Sequence, residues 1–534
     1  MSGTGLSKGR GFLEDSLVIA GAAGLSRLTG LVRIIAAASV LGSTVLGDLF
    51  VAINFLPLSL YSAFAGSAIS SVLVPPLVRR LANGEVGAAR RLIANTLGFV
   101  VFALAILAGL AVLARGWIAA ALTAGVDDRL ALDAAAVAGL LLLLILPQLV
   151  VYAAIGIFIS VQHAHRQFLV PSAGPVVENV GLVATVAAVS IIHGGGWEVD
   201  TVPLELVLLV ALCSGRSVLA HGLVQFIGAW RAIGGFGMSA HWTDPEVRAL
   251  ATPLKHSLGW TGVITARHFA LIVAAGFAGA GAVQSLEIAM LAYFVPMALI
   301  GRPIASAAMP RLSRAETGPR GRLTGYLTAL RLAAWIAVPA GFAMTLLAGP
   351  IAEAIVRAEF DRPGAAEMVA FALAGLGVGA VGEALFEVAR QATMAQGDGS
   401  SLRRANIVRA VTAIVGIPVA VVLLDGALLL FGLGLVVSIG DGAAFAVAHL
   451  SLRAKPGWPA RVERYWPRIL GASIIAVLPV AVATTRISNG ADEVRLLAVG
   501  LATAAMYCWA VALLTDRGRM LRALHGSLGN EELA

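Results

Sequence analysis

The sequence predicts an all-α polytopic membrane protein of about 14 transmembrane helices: two six-helix lobes in a pseudo-twofold parallel repeat, then two C-terminal helices. Three observations carry this prediction. Hydrophobic residues make up 59% of the 534 and charged residues 13%, with a mean hydropathy of +0.89, whereas a soluble domain carries about 25% charged residues. Apolar runs of about 20 residues, the length that crosses a bilayer, recur along the chain and leave no room for a large soluble domain. Finally, a fixed offset of 235 carries Ile69, Ser71, Pro75, Leu77 and Arg79 onto Ile304, Ser306, Pro310, Leu312 and Arg314. The offset spans six helices, an even number, so both halves enter the membrane in the same direction and their pseudo-twofold axis runs along its normal.

Taken in order, the spans lie at 16–41, 49–76, 92–114, 131–160, 169–192, 204–230, 257–280, 286–310, 326–356, 366–393, 404–424, 426–450, 467–485 and 495–515. They divide the chain into an N-terminal tail (1–15), an N-lobe (16–230), a linker (231–256), a C-lobe (257–450), two further spans (467–515) and a C-terminal tail (516–534). With an even number of spans both termini share one side. The loops on that side hold 24 Lys and Arg, against 6 on the other (Arg115, Arg129, Arg357, Arg362, Arg486 and Arg495). Positive charge favours the cytoplasmic side, which places both termini, the linker and the tails in the cytoplasm. No small-residue cleavage site follows the first apolar run, so that run is expected to remain as the first helix.

Composition also excludes several classes. The net charge of +8 is dispersed over short loops rather than gathered on one basic face, which argues against nucleic acid. No G-x-x-x-x-G-K-[ST] loop occurs, and no constellation for enzymatic catalysis emerges. Cys213 and Cys508 both fall in apolar spans and read as buried small hydrophobes. His163 and His165, beside Arg166, lack the further ligands a metal site needs. Pro57, Pro147, Pro296, Pro339 and Pro418 are expected to kink their helices.

The informative residues are the polar ones inside spans. A charge at mid-bilayer costs roughly 2.5 to 3.5 kcal/mol on insertion scales, so such residues usually face a watery interior or a partner. The stretch Ser26–Arg80 places Arg27, Arg33, Asp48 and Asn54 within its two spans and is read as cavity wall. Glu178 and Asn179 lie in span 5, Arg216 in span 6, Arg267 and His268 in span 7, and Glu287 and Arg302 in span 8. Glu383, Glu387 and Arg390 share one face of span 10, and Asp441 lies in span 12 with apolar flanks. The acids read as a self-neutralising ladder or as ion-coupling sites.

Five segments stand in a fixed order: Ser26-Arg27-Leu28-Thr29-Gly30-Leu31-Val32-Arg33; Leu41-Gly42 with Asp48-Leu49-Phe50-Val51-Ala52; Pro57 and Val74-Pro75; Pro147 through Gln167-Phe168-Leu169-Val170-Pro171 to Pro175 and Asn179; and Arg390 through Gly397-Asp398. Together they resemble the MurJ/MviN family of lipid II flippases, within the multidrug, oligosaccharidyl-lipid and polysaccharide exporter (MOP) superfamily. The resemblance implies a transporter that moves a lipid-linked cell-wall sugar precursor from the inner to the outer leaflet for peptidoglycan synthesis. Its lobes would rock about a cationic cavity, in the bacterial cytoplasmic membrane. It also implies that Arg27 and Arg33 face the substrate diphosphate, that Asp48 gates or orients them, and that Ser26 and Asn54 add hydrogen bonds. The partners implied are the lipid-linked sugar diphosphate, membrane lipids, and cell-wall synthesis or division proteins. No cofactor is expected, and coupling is left open among sodium ion, proton and membrane potential, with Asp441, Glu383 and Glu387 as candidate carboxylates.

The sequence departs from the family at four charged positions, where Tyr61, Gly66, Leu291 and Phe294 stand instead. Arg267, onto which a shift of 234 carries Arg33, is the replacement cation expected to face Arg33 across the lobes. Three functions therefore remain open on sequence: a flippase for lipid II or another polyprenyl-linked glycan, a cation-coupled drug exporter of the same architecture, and a non-transporting scaffold.

Overall fold

The computed structural model describes residues 12–64, 66–239, 241, 245–296, 304, 318–356, 364–456, 465–484, 496–512 and 514; among these the chain is helices joined by turns and short loops, with no strand. The first apolar run forms α1 (Phe12–Leu41), and the second divides into α2 (Val45–Phe64) and α3 (Gly66–Ala82). The Thr44 hydroxyl accepts the Gly47 amide at 3.1 Å at the start of α2, satisfying a donor that the helix cannot. Asp48 lies in the first turn, where the helix dipole favours a carboxylate. Next come α4 (Val86–Leu113) and the short α5 (Arg115–Leu122). The fourth run is interrupted at Pro147, which has no amide to donate, giving α6 (Ala131–Ile145) and α7 (Gln148–Ala164). α8 (Leu169–His193) and α9 (Leu204–Ile233) follow.

The next helix, α10 (Pro245–Ala275), starts well before the expected 257. Proline suits a first helical position because its missing amide would have been unpaired there anyway. Beyond it lie α11 (Ala282–Pro296), α12 (Gly318–Leu346), α13 (Ala348–Val356), α14 (Ala365–Ala395), α15 (Gly399–Leu423), α16 (Gly426–Arg453), α17 (Trp466–Thr484) and α18 (Leu496–Ala512). Among the described residues, 11 helices are long and apolar enough to cross a membrane, and 3 shorter apolar helices (262–278, 282–294 and 496–512) bring the number to 14. This is a multi-pass membrane protein.

Two compact units result, Met1–Phe269 and Ala270–Ala534. Within the first, α3 and α4 pack on α7, and α7 and α8 pack on α9. Within the second, α11 and α12 pack on α14, and α14 and α15 pack on α16. Numbered as spans these are the pairs 2–4, 3–4, 4–6 and 5–6, then 8–10, 9–10, 10–12 and 11–12. A shift of six spans carries one set onto the other, as a parallel repeat requires. In the sequence repeat itself, the second copy beyond Ile304 lies outside the described residues.

Packing in each unit follows four-residue spacing. Leu149, Ala153, Ile157 and Val161 on α7 meet Ile69, Leu73 and Leu77 on α3 and Ile93, Leu97, Val100 and Leu104 on α4. On α15 the opposite faces differ sharply. Ile407, Val411, Ile414, Val415 and Val422 are exposed, while Asn406, Arg409 and Ala413 are buried. An apolar outside around a polar inside is the arrangement a lipid solvent selects.

Candidate functional site

In the first unit the polar residues of four helices converge on Glu178 of α8. Tyr152 of α7 donates its hydroxyl to Glu178 Oε1 at 2.8 Å. Arg33 of α1 donates from Nη1 to the same oxygen at 3.4 Å. His221 of α9 sets Nδ1 3.1 Å from Oε2. Beyond the histidine, Gln225 Nε2 lies 3.3 Å from His221 Nε2 and donates to the Val170 carbonyl at 3.1 Å. Gln162 donates to Gln225 Oε1 at 2.8 Å. The imidazole tautomer with its proton on Nδ1 satisfies both neighbours, donating to Glu178 and accepting from Gln225. Gly174 makes the room for this chain, since a Cβ there would come within 2.0 Å of Gln225 Nε2.

One residue on, Asn179 ties α8 to the start of the Ser26–Arg33 segment. Its Nδ2 donates to the Ser26 carbonyl and to Thr29 Oγ1, both at 3.1 Å. Arg33, Ser26 and Asn179 are thus brought together, with Glu178 as the carboxylate seen against Arg33. Asp48, to which the resemblance gives a gating or orienting role, is buried in the first turn of α2. Ser26 contributes its backbone carbonyl. Asn54 lies elsewhere in the unit, accepting from Ser214 Oγ of α9 and donating to the Phe50 carbonyl at 3.3 Å. Arg27 is on α1, but its side chain lies outside the described residues, as does Arg302.

Arg267 and His268 are buried on α10, and the His268 ring stacks on Phe55 of α2 at 4.2 Å between centroids. Both fall in the same compact unit as Arg33, whose boundary comes at Phe269.

The second unit holds its own charged centre. Arg409 of α15 sets Nε 2.8 Å from Asp441 Oδ1 of α16 and pairs through Nη2 with Glu383 of α14. Its guanidinium lies 4.2 Å over the Phe386 ring, and Tyr293 of α11 donates its hydroxyl to Asp441. Arg409 and Asp441 are 2% and 0% exposed, so the guanidinium is desolvated and is offset there by two carboxylates, Asp441 and Glu383. Glu387 is gripped by Arg390, with Nε and Nη2 at 2.8 and 2.6 Å from its two oxygens. Of the expected ladder on α14 the Glu387–Arg390 step forms, while Glu383 pairs with Arg409 of α15. Neither Arg409 nor the His221–Tyr152–Gln225 chain was singled out from sequence. An arginine five residues inside the apolar run 404–424 was the available signal for the first. The second had none, because its members sit on different helices and are ordinary residues one by one.

Where the resemblance expects an arginine in span 2, the Tyr61 ring lies against α7, 6.2 Å from Tyr152. Gly156 permits it, since a Cβ there would sit 2.0 Å from the Tyr61 hydroxyl. Leu291 and Phe294 are half-buried on α11, with Phe294 edge-on to Tyr293 at 4.9 Å. Gly66 is the first residue of α3.

A family model described as Lipid II flippase MurJ matches residues 37–493, most of the chain. The chain belongs to this family. The lipid II flippase MurJ of Burkholderia cenocepacia is 25% identical over 479 residues, covering 86% of this chain and 87% of that protein. Among solved structures, a lipid II flippase MurJ in an inward closed conformation matches with a TM-score of 0.75 at 15% identity, over 94% of this chain and all of that one. An inward-facing multidrug resistance MATE transporter of the MOP superfamily matches with a TM-score of 0.61 at 15% identity, covering 81% and 94%. At such identities the structures speak to the fold alone, which this chain shares with the MurJ and MATE structures.

The Arg390–Asp398 segment, one of those that resemble MurJ, has a structural job here. Arg390 clamps Glu387, and Asp398 caps α15, its Oδ1 accepting the Ser401 amide at 3.1 Å and its Oδ2 the Ser401 hydroxyl at 2.8 Å. Burial works against the Asp398 carboxylate, but the hydrogen bonds from Ser401 and Ser400 and the Lys455 ammonium at 3.4 Å outweigh it and hold its pKa well below the usual range.

Proposed function

We propose that this protein flips lipid II, the lipid-linked peptidoglycan precursor, from the inner to the outer leaflet of the bacterial cytoplasmic membrane, with both termini cytoplasmic. The match to the MurJ family over residues 37–493 carries this reading. The 24 to 6 bias of basic residues supports the orientation.

On this reading Arg33 is the diphosphate ligand whose surroundings the structure describes, and Glu178 is its resident counter-ion. A guanidinium offers planar donors to phosphate oxygens, and the contact to Glu178 at 3.4 Å is longer than the 2.7 to 2.9 Å of a strong charge-assisted bond. The arginine is therefore oriented without being saturated. A diphosphate entering from the exposed side of Arg33 takes over its free donors, while Tyr152 and His221 keep Glu178 satisfied in either state. Arg27, Arg267, Ser26, Asn54 and Asp48 have supporting roles in substrate binding on this reading. The cycle would be driven by a sodium ion, a proton or the membrane potential acting on Asp441, Glu383 and Glu387, where opening the Arg409 pair would be the event that couples. The lipid-linked precursor is the partner this reading requires, with cell-wall synthesis or division proteins as further ones.

The test is complementation. The host's lipid II flippase is depleted, and growth and outer-leaflet lipid II are measured with this protein at verified membrane levels. Rescue is expected, together with its loss in Arg33→Ala and Arg27→Ala. Failure of a well-expressed protein to rescue overturns the assignment to lipid II.

A further inference from the structure

Besides the buried clusters, the first unit carries one intramembrane cation that neither the family nor the site above employs. Arg216 lies near the middle of α9, twelve residues from Leu204 or about 18 Å along the axis, and it is exposed. Among the described residues it has no hydrogen-bond or ion-pair partner. It lines a groove of about 680 Å³ between α8 and α9, together with Val176, Val180, Ala184 and Cys213. The flank around the groove is apolar, with Val180, Leu212, Leu219 and Leu223 each more than half exposed. A surface of this kind faces lipid rather than water. The groove's hydroxyls are already used: Ser217 donates to the Cys213 carbonyl at 2.9 Å and Thr185 to the Gly181 carbonyl at 2.8 Å. Its polarity therefore resides in a single guanidinium, which hydrocarbon alone would not tolerate. Glu178 and Asn179 lie on the other side of α8, turned toward α1, α7 and α9, so this groove is separate from the site described above.

We propose that the α8–α9 groove is a binding site for an anionic phospholipid, whose phosphate is held by Arg216 and whose acyl chains lie along the apolar flank. A helical side chain leans toward its own N-terminus, so Arg216 reaches toward the Leu204 end of α9 and the phosphate comes from that leaflet. Guanidinium is suited to the task because it donates two parallel N–H groups to phosphate oxygens. The volume is that of an ordinary small-molecule site. The inference stands whether or not the chain carries lipid II.

Photolabelling tests it. The full chain in nanodiscs is irradiated with a phosphatidylglycerol bearing a diazirine in its acyl chain, and labelled peptides are mapped. Labelling of 176–185 and 213–220 is expected, competed by unlabelled phosphatidylglycerol and not by phosphatidylcholine. Arg216→Gln is expected to lower it at least fivefold, with labelling elsewhere on the protein unchanged, and Arg216→Lys to retain part of it. Equal labelling by a phosphatidylcholine probe, or labelling unchanged in Arg216→Gln, overturns the proposal. Competition by inorganic phosphate alone would show a phosphate site without lipid recognition and overturns it too. The wild-type comparison of the two lipids decides the question even if a substituted chain fails to fold.

Discussion

Neutralising Glu178 should act on Arg33 far more than on the fold as a whole, and a double-mutant cycle measures this. At 3.4 Å two unit charges attract by about 5 kcal/mol at an effective dielectric of 20 and by about 1 kcal/mol in bulk water. The Arg33 side chain is 28% exposed and that of Glu178 11%, which places the pair between these limits. A coupling of about 1 to 3 kcal/mol is expected for Arg33→Gln with Glu178→Gln. Glutamine at 178 keeps the acceptor for Tyr152 and roughly the shape of the site, so the packing contribution cancels between the arms of the cycle. The assay is unfolding of the purified chain in mixed micelles for wild type, both single variants and the double. Complementation run on the same four proteins should show Arg33→Gln abolishing rescue and Glu178→Gln weakening it. Additive effects within about 0.3 kcal/mol would mean the two side chains do not interact. Full rescue by Arg33→Gln would remove this residue from the mechanism.

Three further expectations follow from the same geometry. Arg409→Gln removes the cation shared by the fully buried Asp441 and by Glu383 and should cost about 3 to 5 kcal/mol, whereas Asp441→Asn keeps the Arg409–Glu383 pair and should cost clearly less; thermal melts that reverse this order would refute the pairing. Asp398→Ala removes the cap of α15 and should cost about 1 kcal/mol. Because the folded Asp398 titrates below its ordinary value of 3.8, that contribution is present above pH 3.8 and fades as pH falls through the lower folded value; Asp398→Asn should lack this acid-side loss when melting temperature is followed against pH. Gly156→Ala pushes a methyl group into the Tyr61 hydroxyl and should cost about 1 to 3 kcal/mol by overpacking, with Tyr61→Ala relieving most of it; a melting temperature unchanged by Gly156→Ala would show the tyrosine free to move.

Much of this protein was legible in one dimension, because a bilayer imposes a one-dimensional rule. Every backbone polar group must be satisfied within its own helix, and about 20 apolar residues are needed to cross, so hydropathy alone places the spans. The order of basic loops and the offset of 235 then give the parallel repeat, and the packing pairs of the two units follow it. The depth argument also picked out Arg33, Glu178, Asp441 and Glu383 as residues that hydrocarbon would not hold unaided.

What the sequence left open is which charge meets which. Glu383 lies seven residues from Arg390 with Glu387 between them, a spacing that suggests a single ladder, yet its partner is Arg409 on the next helix. Glu178 read as an isolated acid, and it is the meeting point of α1, α7, α8 and α9 through Arg33, Tyr152 and His221. Asp441 read as a candidate ion-coupling carboxylate with apolar flanks, and it lies against Arg409 and Tyr293. Helical spacing constrains neighbours on one helix to within a turn. It says nothing of the rotation of one helix against another, which close packing sets through small residues such as Gly156 and Gly174. The sequence determined that this chain crosses the membrane many times with charges inside; only the packing of helix on helix decided how those charges are paired.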